Sequence, residues 1–100
     1  MSSELKYYLL SQAADQDIVE IFDFSASEFG QEKAVDYLGE FEELFHGLVA
    51  NPKLGVARND IRQGLRSFPK NAHIVFYRIM DDHIRIVRVL HYSRDVRYLL

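Results

Sequence analysis

Between Gly64 and His91 the chain sets β-forming residues and evenly placed cations in three short runs. This stretch limits the possible folds more than any other. Leu65 to Phe68, His73 to Met80 and Ile84 to His91 are rich in Ile, Val, Phe and Tyr, the residue types that suit a pleated, half-buried surface. Pro69-Lys70-Asn71 and Asp81-Asp82 separate the runs with turn chemistry. Three strands joined by such short turns predict an antiparallel meander. Arg66, Arg78, Arg85 and Arg88 stand inside these strands. A buried Arg is costly unless it is paired, so their repeated use implies a sheet with one cationic surface and an anionic partner for it.

The first half of the chain reads as a strand and two helices. Lys6 to Leu10 is a short aromatic and apolar strand. Ser11 then suits a helix N-cap, with Asp15 and Asp17 in the first turns, where the helix dipole favours acids. Ala14, Ile18, Ile21, Phe22, Ser25 and Phe29 recur at helical spacing as the apolar stripe, with Asp17, Glu20 and Glu28 off it. Gly30 ends this helix. The next runs from about Gln31 to Ala50, with Ala34, Leu38, Phe41, Phe45 and Leu48 on one stripe and Glu32, Asp36, Glu40 and Glu43 on another. Asn51-Pro52 stops it, because Pro lacks an N–H and biases its predecessor away from the helical region. Gly39 and Gly47 lie inside this helix and suggest a close helix–helix approach. Two helices joined at one Gly predict an antiparallel hairpin.

The predicted order is β-α-α-β-β-β in one domain spanning residues 1–100: an α+β fold with a helical hairpin on a small antiparallel sheet. In the last strand strict alternation puts Ile84, Ile86, Arg88 and Leu90 on one face and Arg85, Val87, Val89 and His91 on the other. Both sets are partly apolar, so alternation alone leaves open which face the helices cover. The tail from Ser93 to Leu100 reads as one helical turn or an extended segment.

Charge divides the chain in two. Residues 1–52 carry two Lys and no Arg against eleven Asp and Glu, a balance of −9. Residues 53–100 carry ten Lys and Arg against four Asp, a balance of +6. The acidic helices argue against duplex DNA on their side. The cationic half alone could bind nucleic acid, with only modest, salt-sensitive affinity, and DNA is expected only as an indirect partner reached through a protein complex. There is no Cys, which excludes disulfides and thiolate metal sites and fits a cytoplasmic protein. Met1 to Lys6 lacks the apolar core of a signal peptide, and no apolar run approaches the roughly 18 residues that span a bilayer. His73, His83 and His91 lack metal-ligand spacing, so neither a metal nor another cofactor is expected.

Several blocks together resemble the ParE-type toxins of the RelE/ParE toxin–antitoxin superfamily. They are Tyr8-Leu9-Leu10-Ser11 with Ala14 and Asp17-Ile18, the Phe29-Gly30 break, and Asn51-Pro52-Lys53-Leu54-Gly55. The more specific ones are Ile61 to Pro69, His73 to Arg78, and Ile86 to His91. The resemblance covers nearly the whole chain. It implies a helical hairpin on a small sheet, a ParD-type antitoxin as partner, DNA gyrase as target, and inhibition by non-covalent binding rather than catalysis. One departure is Arg94, which stands where such proteins commonly have Met.

Arg66, Arg78 and Arg88 are the expected anchors for an acidic antitoxin segment, since Arg offers a planar fork to carboxylates. Arg58, Arg62 and Lys70 are the expected target-binding string. The competing reading of these cations is structural: a solvated loop with ion pairs to the acidic hairpin, and stems packed on the core with heads on helix acids. His91 and Tyr92 are the only pair suggestive of acid–base chemistry, as in a RelE-type ribosome-dependent mRNA endonuclease. The last Glu is Glu43, on the second helix, which leaves a sheet-borne nuclease only His or four Asp as base. His91 and Tyr92 are therefore expected to pack at the strand end, with no catalytic residue in the chain.

Overall fold

The computed structural model describes residues 4–100; Met1, Ser2 and Ser3, part of the segment read above for a signal peptide, lie outside the described residues. The chain runs β1 (Tyr7–Leu10), α1 (Gln12–Phe29), α2 (Gln31–Ala50), β2 (Val56–Ala57), β3 (Leu65–Lys70), β4 (His73–Ile79), β5 (His83–His91) and a short 3₁₀ turn, Val96–Tyr98. The five strands make one sheet in the order β1-β5-β4-β3-β2. The predicted meander is present, but β1 joins β5 in parallel, pairing Tyr7 with His83 and Leu10 with Ile86. The sheet is therefore mixed rather than purely antiparallel. No helix among the described residues is long and apolar enough to cross a membrane.

The helix ends follow local chemistry. The Ser11 hydroxyl oxygen accepts the Ala14 N–H at 3.0 Å and caps α1. Gly30 has φ +96°, a backbone region that favours glycine, and it separates the two helices within one residue. The two mid-helix glycines do not mark a close approach. A Cβ at Gly39 or Gly47 would have nothing within 4 Å. Gly39→Ala should therefore raise stability by about 0.5–1 kcal/mol, the usual helix-propensity gain. Urea denaturation checks this, and a lowered midpoint would mean that the bare backbone is needed there.

Gly55 is the opposite case. A Cβ there would sit 2.5 Å from the Ser67 carbonyl oxygen and 2.7 Å from the Tyr77 hydroxyl. The buried Tyr77 hydroxyl accepts the Gly55 N–H at 2.9 Å and donates to the Pro52 carbonyl at 2.7 Å. The 52–55 segment is thus pinned against the sheet and delivers the chain into β2, a strand the sequence reading left as loop.

β3 also runs two residues further than expected, through Pro69, so the turn is Asn71-Ala72. β2 reaches only Arg66 and Ser67, so at Pro69 β3 is an edge strand, where a missing N–H is tolerated. Asn71 takes φ +53°, which Asn adopts more readily than most residues.

One register shift decides which face is which. β4–β5 pairing passes from Tyr77↔Ile86 to Phe76↔Arg88, leaving Val87 as an extra residue. The strict alternation expected for β5 fails there. Ile84, Ile86 and Val89 pack with Ala14, Phe41, Phe45 and Leu48 under the helices. Val87 and Leu90 face the opposite side with Leu65 and Phe76, where Val96, Leu99 and Leu100 of the tail cover them. Both faces are apolar because the helices cover one and the tail covers part of the other.

Candidate functional site

Asp17 was expected off the apolar stripe of α1; it is buried instead, with only 6% of its surface exposed. β1 stops opposite Ile86, so the β5 edge beyond it has no neighbouring strand. α1 closes that edge. The Ser11 hydroxyl donates to the Val87 carbonyl at 2.7 Å, and the Asp17 carboxylate accepts the Val89 N–H at 3.0 Å. Arg88 reaches round the edge and gives Asp17 two further bonds, at 2.7 and 2.8 Å. It also donates to the Leu99 carbonyl at 3.2 Å. Hydrogen bonding to Asp17 raises the Arg88 pKa above its ordinary value, against the opposing effect of burial.

The other sequence-selected cations are also engaged within the chain. Arg66 donates to the Gly55 carbonyl at 3.1 and 2.7 Å, fixing the segment that Tyr77 pins. Arg78 donates to the Gln63 carbonyl at 2.9 Å. Arg58 pairs with Asp60 at 3.1 Å, and this hydrogen bond holds the Asp60 carboxyl below the usual range. Arg62 donates to the Leu100 carbonyl through Nε at 2.9 Å and also through Nη2. Lys70 pairs with Glu40 of α2 at 2.6 Å. These residues do not form one surface. Arg66 and Lys70 lie on the helix side of β3, Arg78 lies on the far face, and Arg88 wraps an edge.

The same shortness of β1 leaves a groove of about 580 Å³ between α1, the start of α2 and the end of β5. Ile21, Phe24 and Phe29 of α1 form its apolar wall, with Val89, His73 and His91 along the sheet side. Phe24 and Phe29 are 64% and 65% exposed. Lys33 and Arg94 stand on the groove lining and make no ion pair among the described residues. Glu20 is also on the lining.

Inside the groove, His73 and His91 are cross-strand partners with ring centroids 5.7 Å apart. The His73 Nδ1 lies 2.9 Å from the Tyr37 hydroxyl. Burial, with a smaller effect from His91, pushes the His73 pKa down and favours the neutral ring at pH 7. The His91 and Tyr92 rings meet at a tilt of 32° with centroids 4.6 Å apart, and the His91 Nδ1 lies 2.7 Å from the Ser93 hydroxyl. Among the described residues no three His, Asp or Glu side chains converge as a metal site.

The sequence reading did not find this groove. Its one local signal was Phe24, a large apolar residue off the core-facing stripe of α1.

Residues 8–96 match the family described as the ParE toxin of the type II toxin–antitoxin system parDE. The chain belongs to the ParE toxin family. It is 39% identical over 90 residues to Toxin ParE1 of Mycobacterium tuberculosis, covering 89% of this chain and 92% of that one. It is 33% identical over 93 residues to Toxin ParE1 of Caulobacter vibrioides, covering 93% and 96%. The fold is shared with a chain of the chromosomal ParDE toxin–antitoxin system of P. aeruginosa: TM-score 0.75, 20% identity, 88% of this chain and 96% of that one. A YoeB dimer from Staphylococcus aureus shows the same fold at TM-score 0.61 and 18% identity, over 92% and 100%. Within this ParE toxin, Arg94, the departure noted in the sequence, lies on the groove.

Proposed function

We propose that this toxin inhibits DNA gyrase by binding it as a protein, without covalent modification, and is neutralised by a ParD-type antitoxin that fills the groove beside α1. The observation that carries the antitoxin part is the groove itself: exposed Phe24 and Phe29 beside two cations, Lys33 and Arg94, that make no ion pair among the described residues. Such a site suits an amphipathic segment with apolar anchors and a few carboxylates. Of the residues first proposed as anchors, Arg66 and Arg88 are held by several bonds within the chain, and Arg78 lies on the sheet face away from the groove. The reading therefore moves the antitoxin contact to Lys33 and Arg94.

Arg58, Arg62 and Lys70 remain the proposed target-facing string. A target carboxylate must compete there with Asp60, the Leu100 carbonyl and Glu40. Binding rather than catalysis is supported by the engagement of candidate acid–base groups. Asp60 and Asp95 are paired with Arg58 and Arg97, Asp82 lies 2.9 Å from His83 Nδ1, and His91 packs between His73 and Tyr92.

A supercoiling assay with purified, antitoxin-free toxin tests the proposal. Inhibition should titrate, saturate near stoichiometric occupancy, and reverse when antitoxin is added. It should weaken as salt rises, since charges are screened beyond about 8 Å at physiological ionic strength. Full supercoiling with folded toxin in several-fold excess over gyrase would refute the gyrase reading. Codon-phased mRNA cleavage that is lost in His91→Ala would place the toxin with the nucleases instead.

A further inference from the structure

The tail covers only part of the sheet face opposite the helices. The uncovered part holds an arrangement that folding alone does not favour. Arg78 of β4 and Arg85 of β5 are direct cross-strand partners. Arg78 is also paired with Leu65, and Leu65 belongs to the far-face cluster, which sets both arginines on that face. Side chains so opposed stand about 4.5–5.5 Å apart at Cβ, and like charges in that relation are destabilising. Arg78 has the Gln63 carbonyl as a partner at 2.9 Å. Arg85 is exposed and makes no ion pair among the described residues. Beside them on the same face, Leu9 is paired in register with Arg85, and Tyr7 stacks on His83 at 5.1 Å. Leu9 and Tyr7 are 50% and 40% exposed.

We propose that the Arg78–Arg85 pair with Leu9 and Tyr7 is a second interaction surface, which takes an acidic protein segment lying across the far face of the sheet. The like-charged pair is unfavourable in the free toxin. It becomes favourable when a carboxylate sits between the two guanidinium forks, each of which can offer parallel N–H donors. Leu9 and Tyr7 supply the apolar contact that an isolated charge pair lacks. A nucleic acid fits less well. The cationic strip ends at Asp82, whose carboxylate lies 2.9 Å from the His83 ring nitrogen and 3.4 Å from the Tyr7 hydroxyl, with Asp81 next in the chain. A continuous polyanion would run onto these acids, whereas discrete carboxylates need only reach the two arginines. The groove beside α1 opens on the helix side and at the other end of β5, so the two surfaces can be occupied together.

The test uses ¹⁵N-labelled toxin titrated with an eight-residue peptide alternating Glu and Leu, and separately with a twelve-base-pair DNA duplex. The proposal expects the largest peptide-induced amide shifts at Leu9, Arg78 and Arg85. It expects Arg85→Glu to weaken the peptide by about fivefold, the upper end for one exposed ion pair. Phe24→Ala and Arg94→Ala, on the groove, should leave the peptide-induced shifts at Leu9, Arg78 and Arg85 in place. Arg85→Thr should keep or raise the melting temperature, because it removes a repulsion. Peptide shifts confined to His73 and His91, tighter binding of the duplex that depends on Arg85, or a lower melting temperature for Arg85→Thr would each overturn the proposal.

Discussion

Asp17→Ala should destabilise the toxin by about 3–5 kcal/mol, the usual cost of removing one partner from a buried ion pair. For a domain of this size total stability is about 5–15 kcal/mol, so a third or more of it can be lost. The melting temperature should fall by roughly 12 °C or more. Three bonds converge on this carboxylate, two from the Arg88 guanidinium and one from the Val89 N–H. Its removal leaves a half-buried cation and a buried backbone donor together, on an edge where no strand can take over. Asp17→Asn keeps an acceptor for Val89 but turns an amide toward Arg88, and should fall between wild type and Asp17→Ala. Asp17→Leu combined with Arg88→Met should recover most of the loss, since a well-packed apolar pair can replace a buried ionic one. Urea denaturation of the three variants beside wild type decides it. A loss under about 1 kcal/mol for Asp17→Ala would mean that the pair behaves like an exposed one.

Asp17 also shows where reading the sequence stops. Helix α2 was legible to its ends because Gly30 and Asn51-Pro52 act locally, and β4 and β5 were legible from β-formers bounded by turn residues. Arg88 was expected to anchor an antitoxin, with pairing to a helix acid as the competing reading; in the fold its head meets Asp17 of α1. The acid itself lies 71 positions earlier, beyond any local pattern. The parallel β1–β5 pairing failed to show for the same reason, since the strands that meet are the first and the last. The Val87 bulge reversed the expected faces of Arg88 and Val89, and nothing in Val-Arg-Val marks an inserted residue. Pro69 was read as a turn because Pro usually leaves a sheet. It stays in β3 because β2 is too short to need its N–H. The groove is the larger omission. It is an absence of packing created by the shortness of β1, and only the exposed ring of Phe24 hinted at it.

That exposed ring gives the second large effect. Phe24→Ala and Phe29→Ala should each weaken antitoxin binding by about 2 kcal/mol or more, roughly 30-fold, if the groove is the antitoxin's seat, because buried aromatic anchors dominate such interfaces. Both rings are nearly two-thirds exposed in the free toxin, so stability should change by less than about 0.5 kcal/mol. The separation of the two readouts makes the result interpretable: affinity lost with the melting temperature kept. Arg94→Ala should act differently. A charge at the rim mainly steers association, so its loss should slow the on-rate and flatten the salt dependence while leaving the off-rate nearly unchanged. Arg94→Met, which restores the residue common in ParE-like chains, should behave as Arg94→Ala does in salt dependence but retain more affinity through apolar contact with the groove. Surface plasmon resonance with the cognate antitoxin at low and high salt measures all of these. Unchanged affinity in the Phe24→Ala, Phe29→Ala double variant would remove the antitoxin from the groove. The contact would then return to the sheet arginines Arg66, Arg78 and Arg88, whose bonds within the chain an incoming carboxylate would have to displace.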